Sequence, residues 1–130
     1  MTTKLVLVLM MLLASTGCAD EKPSVVGRER LAFLEHQQEP LLLNAAIQRM
    51  GPSPPGRGPH RFGPYYAYHI RETNTFVEFW FGGGPVEEQD KICMVVESSP
   101  GKKGHIIWPK RLIGTDPYET LKKEWPKMYQ

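Results

Sequence analysis

The stretch Tyr65–Phe81, YYAYHIRETNTFVEFWF, decides the fold. Tyr65 to Ile70 are rich in aromatic residues, Arg71 to Asn74 are polar turn formers, and Thr75 to Phe81 alternate. Successive side chains of a strand point to opposite faces. The alternation therefore puts Val77, Phe79 and Phe81 on one face and Phe76, Glu78 and Trp80 on the other. Two apolar runs of period two, separated by turn residues, predict a pair of antiparallel strands.

The same pattern extends downstream. Gly82-Gly83-Gly84-Pro85 break the chain. Lys91 to Glu97 then read as a third strand, with Ile92, Met94 and Val96 on one face. After the turn SSPGKKG at Ser98–Gly104, His105 to Trp108 form a fourth short strand that Pro109 ends. Asp116-Pro117-Tyr118-Glu119 has the composition of a helix start. Asp116 serves as the cap, Pro117 takes the first helical position and Glu119 stands where a capping-box carboxylate belongs. Tyr118, Leu121 and Trp125 give that helix an apolar stripe, and Pro126 is expected to end it.

Upstream, Arg28 to Gln38 carry Leu31 and Leu34 at helical spacing, with Phe33 between them. Pro40 interrupts and is expected to start a second helix ending near Met50. That helix places Leu43, Ala46, Ile47 and Met50 on one face, with Gly51 as the stop. Nine of the fourteen residues from Gly51 to Pro64 are glycine or proline, so this segment reads as a loop with polyproline character. Arg57, His60 and Arg61 lend the loop positive charge, which a recognition arm could use and a solvated connector would not need. The resulting fold class is α+β: two short N-terminal helices packed on one face of a three- to four-stranded antiparallel meander, followed by a short C-terminal helix. Residues 28–130 make a single domain, in keeping with a length of 130 residues.

Composition narrows the function. The chain is 41% hydrophobic and 23% charged, with a formal net charge of +2, so no electrostatic case exists for nucleic acid. His36, His60, His69 and His105 stand at no zinc-ligand spacing, and no metal or other cofactor is expected. Gly51 to Gly58 lack the Lys-Ser/Thr ending and the preceding strand of a phosphate loop. The triple glycine at Gly82 suits a hairpin turn better than a dinucleotide site, and no Gly-x-Ser-x-Gly elbow is present. Glu87, Glu88 and Asp90 cluster near a turn, where carboxylates are ordinarily solvated. Cys93 lies in the apolar run Ile92–Val96, the setting of an inert buried thiol rather than a nucleophile. The chain therefore reads as non-catalytic. Its aromatic residues suggest binding instead: Tyr66, Tyr68, Phe76 and Trp80 would anchor a protein partner if one sheet face were open. The alternative is that the C-terminal helix covers that face through Tyr118 and Trp125.

The first seventeen residues have the plan of an export signal. Lys4 is basic, Leu5 to Ala14 are apolar, and Ser15, Thr16 and Gly17 are small. The apolar run is shorter than the roughly 20 residues a spanning helix needs. Ser15-Thr16-Gly17-Cys18 resembles the lipobox of bacterial lipoproteins, although Ser15 stands where that family usually has leucine. The resemblance implies cleavage before Cys18, lipidation of Cys18, and a tether over residues 18–27. With Ala19 rather than aspartate next, it implies the outer membrane, facing the periplasm. The other reading is ordinary secretory cleavage after Ala19. Lipidation would leave Cys93 without an intrachain partner, and without it a Cys18–Cys93 bridge remains open.

From Leu41 to Glu97 the order of helix, Met50-Gly51-Pro52 turn and aromatic strand Tyr65-Tyr66-Ala67-Tyr68 resembles the small outer-membrane lipoproteins of the SmpA/OmlA type. That family is an accessory of the β-barrel assembly machinery. The resemblance implies a lipid-anchored protein that binds another envelope protein. β-lactamase-inhibitor-like domains share the same helix-helix-sheet plan, so fold alone leaves function open. An inhibitor or immunity lipoprotein acting against a toxin or hydrolase is the alternative, which small size and the acidic loop Glu87 to Asp90 would suit.

Overall fold

A computed structural model describes residues 22–56, 65–81 and 91–128. The leader, Cys18, most of the Gly/Pro-rich loop with Arg57, His60 and Arg61, the glycine run at Gly82 and the acidic residues Glu87, Glu88 and Asp90 lie outside the described residues.

The strands expected from alternation are all present in the sheet. β4 (Tyr65–Ile70), β5 (Thr75–Phe81), β6 (Lys91–Ser98) and β7 (His105–Trp108) pair antiparallel in sequence order. The fold nevertheless differs from two N-terminal helices lying on a simple meander. Three further strands come from the N-terminal part: β1 (Ser24–Val26), β2 (Leu41–Leu42) and β3 (Pro55–Gly56). β1 joins β4 in parallel, β3 joins the start of β4 antiparallel, and β2 joins the start of β6. The sheet is therefore mixed and seven-stranded among the described residues. It has five lanes, because β1 and β3 share the outer side of β4 while β2 and β7 share the outer side of β6.

This pairing explains the corrections to the helices. Leu41 and Leu42 pair with Ile92 and Lys91, so the second helix, α1 (Leu43–Met50), starts three residues after Pro40. The first helix is a 3-10 helix, Arg28–Glu35, that carries the chain from the β4 edge to the β6 edge; α1 carries it back. Residues 24–26, expected in a tether, lie in the sheet. Pro55 takes an edge strand, where its missing N–H costs no ladder bond.

Both faces of the sheet are covered. Val77, Phe79 and Phe81 pack with Tyr68, Ile70, Trp108 and the helical residues Leu31, Leu34, Ala46 and Met50. On the other side Trp80, Met94, Val96 and Ile106 pack with Leu112 of a second, short 3-10 helix (Lys110–Leu112) and Leu121 of α2 (Pro117–Met128). Full burial of each large apolar side chain stabilises the fold by about 1.5–3 kcal/mol, so both layers matter. Asp116 does cap α2: its Oδ2 accepts the Glu119 N–H at 3.0 Å. The Glu119 carboxylate turns to Lys122 at 3.3 Å, and the helix continues two residues past Pro126.

Two one-residue irregularities set which side chains face which layer. Trp80 pairs with Met94 and Phe81 with Ile92, leaving Cys93 as the extra residue of a bulge. The bulge breaks the expected single face of Ile92, Met94 and Val96. Ile92 joins the N-terminal helices, while Met94 and Val96 join the α2 side. The second lies in β7, where Val95 pairs with Trp108 and Val96 with Ile106, leaving Ile107 as the extra residue.

Candidate functional site

Tyr66, Tyr68, Phe76 and Trp80 do not form one surface. The register places Tyr66 and Tyr68 opposite Phe79 and Val77, toward the N-terminal helices, where Tyr68 is 1% exposed. Its hydroxyl donates to the Gly51 carbonyl at 2.7 Å, and burial pushes its pKa up to about 12. Tyr66 is half-buried and stacks on Phe81 with ring centroids 5.8 Å apart. Trp80 faces the opposite layer and is 4% exposed, with Tyr118 of α2 at 5.4 Å. The C-terminal helix thus covers the Trp80 end of that face. Phe76 is half-buried at the other end, stacked on His69 at 5.0 Å.

The bulge accounts for the environment of Cys93. Its Sγ donates to the Trp80 carbonyl at 3.1 Å, and burial pushes the thiol up to about 12. Nearby, Trp80 Nε1 donates to Glu78 Oε1 at 3.2 Å. Burial raises the Glu78 carboxyl, and this bond draws it partly back.

A larger concavity lies elsewhere among the described residues. Glu97, next to the end of β6, is in the same alternation phase as Val95, so its carboxylate turns toward the N-terminal layer and is nearly buried. Arg28, the first residue of the long 3-10 helix, donates to it twice: Nη1 to Oε2 at 2.8 Å and Nη2 to Oε1 at 3.3 Å. Thr75 Oγ1 adds a third bond at 2.6 Å, and His105 Nε2 stands 4.0 Å away. Burial alone would raise the Glu97 carboxyl. The hydrogen bonds from Arg28 and Thr75 and the charge of Arg28 outweigh burial and hold it below its ordinary value. The Arg28 backbone N–H also donates to Glu72 Oε2 at 2.6 Å, fixing the turn after β4.

Beside this network a groove of about 440 Å³ runs between the long 3-10 helix and the β7 side of the sheet. Leu31, Leu34, Ile107 and Ile113 supply its apolar lining, and Arg28, Glu35 and Lys110 its charges. The β7 bulge turns Ile107 toward this layer. Ile113 is 54% exposed, which is high for so large an apolar side chain. Lys110 has no carboxylate partner among the described residues.

A second, smaller concavity of about 270 Å³ borders Glu39, Lys91, Cys93, Arg111 and Glu124. Arg111 is fully occupied there: it bridges Glu39 at 2.7 Å and Glu124 at 3.0 Å, two points of contact each. These bonds raise its pKa and fasten α2 to the turn before β2. No group of three or more metal-ligating side chains occurs among the described residues, and none of their helices is long and apolar enough to cross a membrane.

Sequence reasoning missed Arg28, Glu97, Lys110 and Ile113. An acid in phase with the inward residues of a strand was the available signal for Glu97. Lys110 and Ile113 lie in a connection with no periodicity to mark them. The chain matches no family model, and no curated protein or solved structure is significantly similar to it.

Proposed function

We propose that this chain is a non-catalytic, lipid-anchored envelope protein that binds a second protein at the groove beside Arg28. The observation that supports this most is the groove's chemistry. Exposed Ile113 and half-buried Ile107 form an apolar surface next to Lys110, whose charge no described carboxylate meets. A partner segment with an apolar side chain beside a carboxylate complements both features. The groove's volume falls in the range of sites that hold compact ligands or a few side chains. Arg28, Glu97, Arg111 and Cys93 direct their polar atoms at other parts of the fold, which favours recognition over catalysis. Membrane attachment through Cys18 would hold the protein near an envelope partner and raise its effective concentration. The resemblance to SmpA/OmlA-type lipoproteins makes a component of outer-membrane assembly the expected partner.

The test is in-cell photocrosslinking from position 113. An adduct with a barrel-assembly component that Lys110→Glu abolishes is the expected result. An adduct with a toxin or hydrolase would transfer the groove to the inhibitor reading. Absence of any specific adduct would overturn the docking role.

A further inference from the structure

Two facts about the chain combine to give the domain an orientation. The first is that the sheet begins at Ser24, six residues after Cys18. Six residue steps span at most about 20 Å, however the intervening chain is arranged. The second is where Ser24 sits. Its N–H bonds to Ser53 Oγ at 3.1 Å, its Oγ donates to the Pro52 carbonyl at 2.8 Å, and Ser53 Oγ donates to Ala67 O at 2.7 Å. The chain therefore enters at the junction of β1 and β3, in the outermost lane on the β4 side.

The opposite lane, with β7, is four strand spacings away. Four spacings amount to about 19 Å through the sheet itself. A tether cannot pass through the sheet and must go round a covering helical layer, which adds about 10 Å of path. A chain of about 20 Å therefore cannot leave the β7 edge alone against a bilayer with the β1–β3 edge pointing away from it.

Resting on the lipid-anchor reading above, we infer that the β1–β3 edge is a membrane-contact surface, and that the β7 edge is held away from the lipid. The surface chemistry of the near edge fits a lipid interface. Val25 is 54% exposed at the centre of β1, although neighbouring Val26 packs inward. Lys22, two residues before the strand, is exposed and cationic, as suits an interface of phosphate headgroups.

The test uses the full-length, membrane-inserted protein. Nitroxide labels are placed singly at Lys22→Cys, Val25→Cys, Pro52→Cys and Ile113→Cys, in vesicles of phosphatidylethanolamine and phosphatidylglycerol containing a paramagnetic chelator lipid. Mass spectrometry first establishes whether Cys18 is acylated. The expected result is acylated Cys18 with relaxation enhancement at positions 22, 25 and 52 several-fold greater than at 113. Acylated Cys18 with equal or greater enhancement at 113 would overturn the orientation and leave the anchor standing. Unmodified Cys18 would overturn both.

Discussion

Arg28 and Glu97 lie 69 residues apart in sequence, yet two hydrogen bonds join their side chains across the end of the sheet. The pair links the chain leaving β1 to the C-terminal end of β6, so it couples the N-terminal segment to the central strands. Its guanidinium is half-exposed and its carboxylate nearly buried. A charged hydrogen bond in such a setting contributes about 1.5–3 kcal/mol, and solvent on the Arg28 side argues for the lower end. Arg28→Ala should lower unfolding free energy by about 1.5 kcal/mol in urea titration.

The same pair gives a pH signature. The Glu97 carboxyl is held below its ordinary value of 4.5 in the folded chain. Its contribution is complete above that ordinary value and is lost as pH falls through the depressed folded value. Tm should therefore drop as pH falls below about 5, and Glu97→Gln should make that drop shallower. Calorimetry across this window decides it; identical slopes for the two proteins would remove Glu97 from the account.

Trp80 is core, not a docking residue. It is 4% exposed between β5 and α2, against Tyr118. Trp80→Ala should cost about 3–5 kcal/mol by transfer and cavity effects combined. Tyr118→Ala, at a partly exposed ring, should cost about 1 kcal/mol. Guanidinium unfolding monitored by circular dichroism distinguishes the two, and near-equal small effects would count against a filled α2–sheet layer.

Gly51 ends α1 at φ 91° and ψ 170°, a region that side-chain-bearing residues avoid. Its carbonyl also receives the buried Tyr68 hydroxyl. Gly51→Ala should destabilise the domain by about 1–3 kcal/mol. A midpoint unchanged in urea would mean the backbone can relax there.

Cys93 should be chemically silent while the domain is folded. With Cys18 replaced by alanine it is the remaining thiol of two. Its burial, its bond to the Trp80 carbonyl and a pKa pushed up to about 12 keep the thiolate scarce. A disulfide reagent should modify it at the rate of global unfolding, with full reaction in denaturant. Rapid stoichiometric labelling in native buffer would contradict a closed bulge.

The legible parts of this fold were those whose cause is local. Thr75–Phe81 alternates over seven residues, and its turn chemistry is unambiguous, so its bounds follow directly from the pattern. Asp116 announced α2 because capping depends only on the next three residues. β1, β2 and β3 were hidden because two or three residues hold no period and their partners are distant; Val25, for example, finds His69. Leu41 and Leu42 continue a helical pattern by composition, yet the edge of β6 claims them first. Single-residue bulges at Cys93 and Ile107 reversed the faces that strict alternation assigns. The candidate site suffered most, since Arg28, Glu97, Lys110 and Ile113 come from three segments that only the tertiary fold unites.

The arrangement of the edge lanes also fixes an order of events in time. β1 and β3 require β4, and β2 requires β6, so each of the described strands up to Gly56 pairs with one made later. A chain that emerges N-terminus first cannot begin to complete this sheet until Lys91–Ser98 has appeared. Until then its early leucines, Leu31, Leu34 and Leu41, have no sheet to cover. Such a segment stays exposed to proteases and to association for most of its own synthesis. The domain therefore matures late: β4, β5 and β6 assemble first, and the older part of the chain closes over them.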